Sequence, residues 1–237
     1  MGRPLIAVGL VVLGATQLLT AQPVPDSGYR RPPIISRHDA LIWGSGVAVA
    51  FLADAVVRRV AQENRTVATN DVAGVGNSFG HVATVAPALV GTWLFGTITG
   101  KKRVAEAAMW AAVSGAAAGG VTAIVKIAVG RQRPPLGDAL AFRPFSRHAA
   151  FPSGHTSFAF AIASSLAHST PDGWSDIGFF AAASLTGLSR INHDRHWASD
   201  VVAGAAVGYL IGRQLTLRPR RLAPVLSPAG VGINLTF

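Results

Sequence analysis

The chain contains no cysteine among its 237 residues, which excludes disulfide bridges and thiolate metal sites and leaves the redox compartment unread. Charge is scarce too. Only 14% of residues are Asp, Glu, Lys or Arg, and the acidic ones are outnumbered 11 to 21, for a formal net charge of +10. No long basic stretch with interleaved aromatics accompanies that charge, so a nucleic-acid groove is the least supported of its three readings, behind an anionic lipid surface and an anionic substrate. No alternating strand pattern is sustained anywhere, and no internal repeat is present. What remains is a chain that is 50% hydrophobic and organised in long apolar runs, the composition of a membrane protein.

Residues 1–21 carry one early arginine, an apolar stretch and small residues around Ala21, and read as a secretory signal peptide; the alternative is an uncleaved anchor. Residues 22–40, rich in Pro, Ser and Arg, read as a linker. A helical domain is expected over 41–214, with apolar segments at 41–57 (interrupted by Asp54), 82–98, 104–129, 156–168, 177–188 and 197–211, and a polar connection over 61–81. The tail, 215–237, reads as irregular or a short strand. The fold class expected is therefore all-α, a bundle of about six helices, mostly membrane-embedded, with its active site at one end. Small residues in AAVSGAAAGG point to close helix–helix approach. Basic residues collect at the ends of apolar runs, at Arg58–Arg59, Lys101–Arg103 and Arg213–Arg221, as membrane orientation signals do. Several segments fall short of the ~20 residues of a usual span, which keeps a soluble periplasmic bundle as the alternative.

Three clusters carry chemistry. KIAVGRQRP supplies Lys126 and Arg133, and its proline forces the chain out of helix; alone, this is a cationic helix end matched to its dipole. FPSGHTSF supplies Ser153, Gly154 and His155 at the mouth of an apolar helix, where first-turn amides form an anion site and a histidine can move a proton. SRINHDRHWASD supplies Arg190, His196 and Asp200, the last two four residues apart, so that a carboxylate can orient an imidazole. His193 and His196 have a metal-like spacing but lack further ligands, so no metal is expected. In an up-and-down bundle the three clusters return to the same end, and three fixed cations there answer the charge of a phosphoryl group.

The joint pattern KxxxxxxRP, PSGH and SRxxxxxHxxxD, spanning Lys126 to Asp200, resembles the signature of the type 2 phosphatidic acid phosphatase family, which shares a superfamily with bacterial acid phosphatases and vanadium-dependent haloperoxidases. The resemblance implies a phosphoric ester hydrolase that needs no cofactor. His196 would be the nucleophile, forming a phosphohistidine, with Asp200 orienting it and His155 as acid and then base. Lys126, Arg133, Ser153, Gly154 and Arg190 would hold the phosphate. Arg131, Arg143, Arg147 and Arg195 are expected at the rim, and His148 and His193 as bystanders. The partners implied are a phosphate-bearing, lipid-linked substrate and the membrane, without nucleic acid; the oligomeric state is unread. The site is expected to face the periplasm from a bacterial inner membrane, on a count of spans that leaves 41–57 uncrossed or one that treats the first segment as a non-crossing extension. The rival functions are a soluble acid phosphatase, a haloperoxidase and a non-catalytic lipid binder.

Overall fold

The computed structural model describes residues 35–170 and 173–217, with the backbone of 222–227 and 230–235. Seven α-helices follow one another over these residues: α1 (Arg37–Glu63), α2 (Val67–Phe79), α3 (Val82–Ile98), α4 (Lys102–Val129), α5 (Gly154–Ala167), α6 (Gly173–Asn192) and α7 (Ala198–Leu217), with a 3₁₀ turn at Pro134–Leu136. The helical bundle matches the sequence expectation, but three boundaries differ. The linker ends sooner, because Ser36 and Asp39 form a capping box that starts α1 at Arg37. The supposed polar connection holds α2, started by a second capping box between Thr66 and Thr69. The tail is not irregular throughout: β1 (Leu222–Ser227) pairs antiparallel with β2 (Gly230–Leu235), Leu222 opposite Leu235. The segment read as a signal peptide lies outside the described residues.

The interior is made of small side chains. Ala111, Ala118, Ala150 and Ala161 are fully buried, as are Ser114, Ser157, Ser164 and Thr186. Large apolar side chains face outward instead, Leu52 on α1 at 87% exposure, Ile98 on α3 at 82% and Ile124 on α4 at 70%. In water this distribution would leave extensive apolar surface unburied; in a bilayer large side chains meet lipid while small ones let backbones approach. α1 and α4 are each long and apolar enough to cross a membrane, and α2 with α3, bent by 49° at their break, is a third candidate. At ~1.5 Å per residue the 27 residues of α1 outreach the hydrocarbon core. Asp54 does not keep α1 out, because its carboxylate is buried in an ion pair. The protein is a membrane protein.

Helix α7 packs on α5 through glycines four residues apart. A Cβ at Gly204, Gly208 or Gly212 would stand 2.7, 2.3 or 2.4 Å from the carbonyl oxygens of Ser153, Ser157 and Ala161, so backbone meets backbone along this seam. α1, α4 and α6 finish, and α5 and α7 begin, at one end of the bundle, where Arg58 pairs with Asp194 and Gln62 donates to the Ile191 and Asn192 carbonyls. At the other end Arg213 forms a two-pronged pair with Asp39.

Candidate active site

Helix α4 stops at Gly130, whose φ of +59° is left-handed. A Cβ there would overlap the Arg143 carbonyl, so glycine is required twice over, by the dihedral and by the neighbour. The following loop folds back on itself, Arg143 N–H donating to the Gly130 carbonyl and Ala150 N–H to that of Arg131. This return delivers the FPSGH segment beside the end of α4. Lys126 Nζ donates to the carbonyls of Ala149 and Ala150, and a Cβ at Gly154 would lie 3.7 Å from Lys126 Cε. That is ordinary contact, so packing alone does not demand glycine at 154.

Ser153 stands at the N-cap of α5 but makes no side-chain cap bond; its Oγ accepts from Thr156 Oγ1 at 2.9 Å. The first-turn amides of α5 thus have no side-chain acceptor from their cap, the condition of a helix-terminal anion site. Ser153 N–H donates to the Asp200 carbonyl at 2.8 Å, which locks the second cluster to the third.

His196 sits in the turn between α6 and α7 at 4% exposure. Its Nδ1 lies 3.3 Å from Asp200 Oδ2. The same oxygen accepts the Trp197 N–H at 2.9 Å, half of a capping box at the start of α7. With Nδ1–H given to the carboxylate, Nε2 keeps the lone pair. Arg190 closes α6 with Nη1 on Asn77 Oδ1, and its buried Nε has no hydrogen-bond partner among the described residues. Arg133, half-buried ahead of the 3₁₀ turn, acts electrostatically on both Lys126 and Arg190.

All eight residues expected from the sequence therefore gather at one end. Two further ones were not foreseen, and two others take places the sequence did not indicate. Asn77, in the last turn of α2, and His81, at the α2–α3 break, face Arg190 and His155, the two imidazole centroids 5.7 Å apart; nothing in their local sequence marks them. Asp54 was signalled only as a carboxylate interrupting an apolar run. Arg131 corrects an expectation: it is fully buried rather than at the rim, bonded to Asp54 and Asp200. Arg143, Arg147 and Arg195 are exposed, as rim residues should be. His148 meets Gln132, and His193 lies half-buried beside Arg190 and Arg195.

Burial pushes the His196 imidazole down to about 4 against the pull of Asp200. Burial, then Arg190, His196, His81 and Lys126, push His155 to about 4 as well. Both folded-state values lie below the ordinary 6.5, so between 6.5 and 4 the unfolded chain binds protons that the folded chain refuses. Stability is then complete above pH 6.5 and falls as the pH drops toward 4. Thermal unfolding in detergent between pH 7.5 and 4.5 is expected to show a falling Tm; a Tm that rises on acidification in this window would contradict the burial of the two rings.

Comparison with known proteins bears on the family and the fold. Residues 107–222 match the PAP2 superfamily. Over 96 residues the chain is 43% identical to a lipid A 1-phosphatase of Porphyromonas gingivalis, covering 40% of this chain and 20% of that protein. Over 91 residues it is 38% identical to a lipid A 1-phosphatase of Rhizobium etli, covering 36% of this chain and 38% of that one. The matches thus span well under half the length of these relatives. The fold resembles the crystal structure of a transmembrane PAP2-type phosphatidylglycerolphosphate phosphatase from Bacillus subtilis, with a TM-score of 0.58, 20% identity and 75% of this chain and 92% of that one covered. It also resembles Aquifex aeolicus LpxE, with a TM-score of 0.52, 22% identity and coverage of 68% and 93%. Residues 107–222, which carry all three motif clusters, are thus the part of the chain that is similar to the PAP2 superfamily.

Proposed function

We propose that the protein is a metal-independent phosphatase of a lipid-linked phosphate. The observation that carries this reading is the meeting of Lys126, Arg133 and Arg190 around His155 and the His196–Asp200 pair, with Arg190 Nε buried and without a hydrogen-bond partner among the described residues. Such a preorganised cationic cup is complementary to a phosphoryl group gaining charge on its equatorial oxygens. His196 Nε2 attacks phosphorus as the bond to the leaving oxygen breaks, and His155 gives that oxygen its proton. Water then attacks the phosphohistidine, His155 takes its proton, and phosphate leaves His196 free. Burial first, and then the cations around it, favour the neutral form of His155; a phosphate beside it offsets those cations and favours the charged form that gives up the proton.

Two features favour a lipid over a soluble ester. The site sits at the end of helices whose outer faces suit hydrocarbon. An apolar groove of about 600 Å³ also runs between α1, α2 and α6, lined by Val56, Val60, Val72, Leu185 and Leu188 and reaching Ser189 and Asn192, which flank Arg190. The relatives' names put lipid A 1-phosphate first among substrates, ahead of phosphatidic acid, phosphatidylglycerophosphate and undecaprenyl diphosphate. Arg37, Lys101, Lys102, Arg103 and Arg213 lie at the helix ends opposite the site, which by the positive-inside rule supports a site facing the periplasm, with Arg58 and Arg59 at the site's own end as the counter-signal. The test is phosphate release by purified protein in detergent with excess chelator, across those four lipids and a soluble phosphomonoester. Turnover of a lipid phosphate in preference to the soluble ester is expected; no turnover of any of them ends the phosphatase reading.

A further inference from the structure

Asp54 is 1% exposed on α1, outside the matched residues 107–222, and nothing in the reaction above uses it. Its two oxygens are fully engaged. Oδ1 accepts the Ser199 N–H at 2.8 Å, one of the free amides in the first turn of α7, and Oδ2 accepts the Ser199 hydroxyl and Arg131 Nη2, each at 2.6 Å. Arg131 then has Nη1 left for Asp200 Oδ1 at 2.7 Å and for Ser199 Oγ at 2.6 Å. Its guanidinium lies 4.6 Å from the centroid of Phe51, 5.4 Å from Phe142 and 5.5 Å from Trp197. The arginine is therefore held from several sides and meets Asp200 through one nitrogen only.

We propose that Asp54 is a positioning residue for the nucleophile: by anchoring Arg131 it confines that guanidinium to one oxygen of Asp200 and keeps the other oxygen for His196. The physical reason lies in the geometry of the two groups. An arginine facing a single carboxylate prefers the two-pronged arrangement. Freed of Asp54, Arg131 would take both oxygens of Asp200, and His196 Nδ1–H would lose the acceptor that fixes its tautomer and leaves the lone pair on Nε2. The charge count runs the same way. Arg131 alone would neutralise Asp200, whereas a second carboxylate leaves the trio net negative beside an imidazole that becomes cationic when it is phosphorylated. Helix α1 thus contributes to the site through a chain of three side chains, Asp54, Arg131 and Asp200.

This inference rests on the phosphatase reading for its kinetic arm but has a spectroscopic arm that does not. In wild-type protein with ¹⁵N-labelled histidine at neutral pH, the His196 ring is expected as the Nδ1–H tautomer; Asp54→Asn is expected to convert it to a mixture. Kinetically, Asp54→Asn should lower kcat roughly 10- to 100-fold, the loss typical when a partner orienting a reacting group is removed, with KM within about twofold of wild type. In an Asp200→Asn background the same substitution should cost less than about twofold, because the group through which it acts is already gone. Ser199→Ala, which removes one hydroxyl from the network without unpairing a charge, should show the same changes to a smaller degree and serves if Asp54→Asn does not fold. An unchanged tautomer, or an equal kcat loss with and without the Asp200 carboxylate, overturns the proposal. Absence of wild-type turnover overturns the phosphatase reading, and the tautomer measurement still decides the role of Asp54.

Discussion

Replacing His196 with asparagine is expected to lower phosphate release by about 10⁴-fold or more, the scale on which nucleophile removal acts in other covalent hydrolases, while the helical bundle stays intact. Asparagine is chosen because its side-chain amide can still donate to Asp200 Oδ2, which in the native site lies 3.3 Å from His196 Nδ1. It therefore keeps the contact that ties the turn to α7 and removes only Nε2, the nitrogen proposed as the nucleophile. Unfolding would be visible as loss of monodispersity in detergent or a collapsed Tm. Labelled substrate should leave phosphate on wild-type protein in an acid-labile, base-stable bond, and none on the variant. Retention of more than a tenth of the activity with a native Tm would remove His196 from the nucleophile role and return the choice to a general-base mechanism through water.

The three motif clusters were legible because each lies at a helix boundary whose position local signals fix: Gly130 and Pro134 close one helix, Ser153 opens the next, and Asp200 caps the last. Their convergence followed from an up-and-down connection of helices. The rest needed contacts that no local pattern carries. Arg131 sits two residues from Arg133 in a basic loop, and only the return of the chain after the left-handed Gly130 turns it inward to partners 77 and 69 positions away. Helix α2 was missed because Val67–Phe79 carries Asn, Asp, Ser and two glycines, a composition of weak helix propensity. What stabilises it is tertiary: Ala73 and Gly76 are buried, Gly76 so tightly that a Cβ would stand 2.5 Å from the Leu185 carbonyl, and the Gly76 carbonyl accepts from Thr186 Oγ1 at 2.8 Å. The same docking carries Asn77 and His81 to the site, so missing the helix meant missing both residues. Asp54 illustrates the converse: a lone carboxylate in an apolar run reads as an obstacle to a span, and its burial against Arg131 lowers that obstacle.

The second large effect is on stability. Arg131→Met is expected to destabilise the protein by about 3–5 kcal/mol, the usual cost of leaving a buried charge without its partner, and to lower Tm by roughly 10 °C or more for a domain of this size. Methionine fills most of the volume between Phe51, Phe142 and Trp197 and suits that apolar, aromatic setting, so packing loss is a minor part of the effect. The major part is electrostatic. The substitution leaves two buried carboxylates, Asp200 with 0% and Asp54 with 1% exposure, without the cation they share, and strips the Ala139 carbonyl of its donor. A second substitution separates charge from volume. In Arg131→Met combined with Asp54→Asn, one orphaned charge is gone while an amide oxygen still accepts the Ser199 N–H, so Tm should climb partway back toward wild type. If the double variant is instead less stable than Arg131→Met alone, the arginine matters for its shape and aromatic contacts, and the buried ion pairs do not organise this end of the bundle.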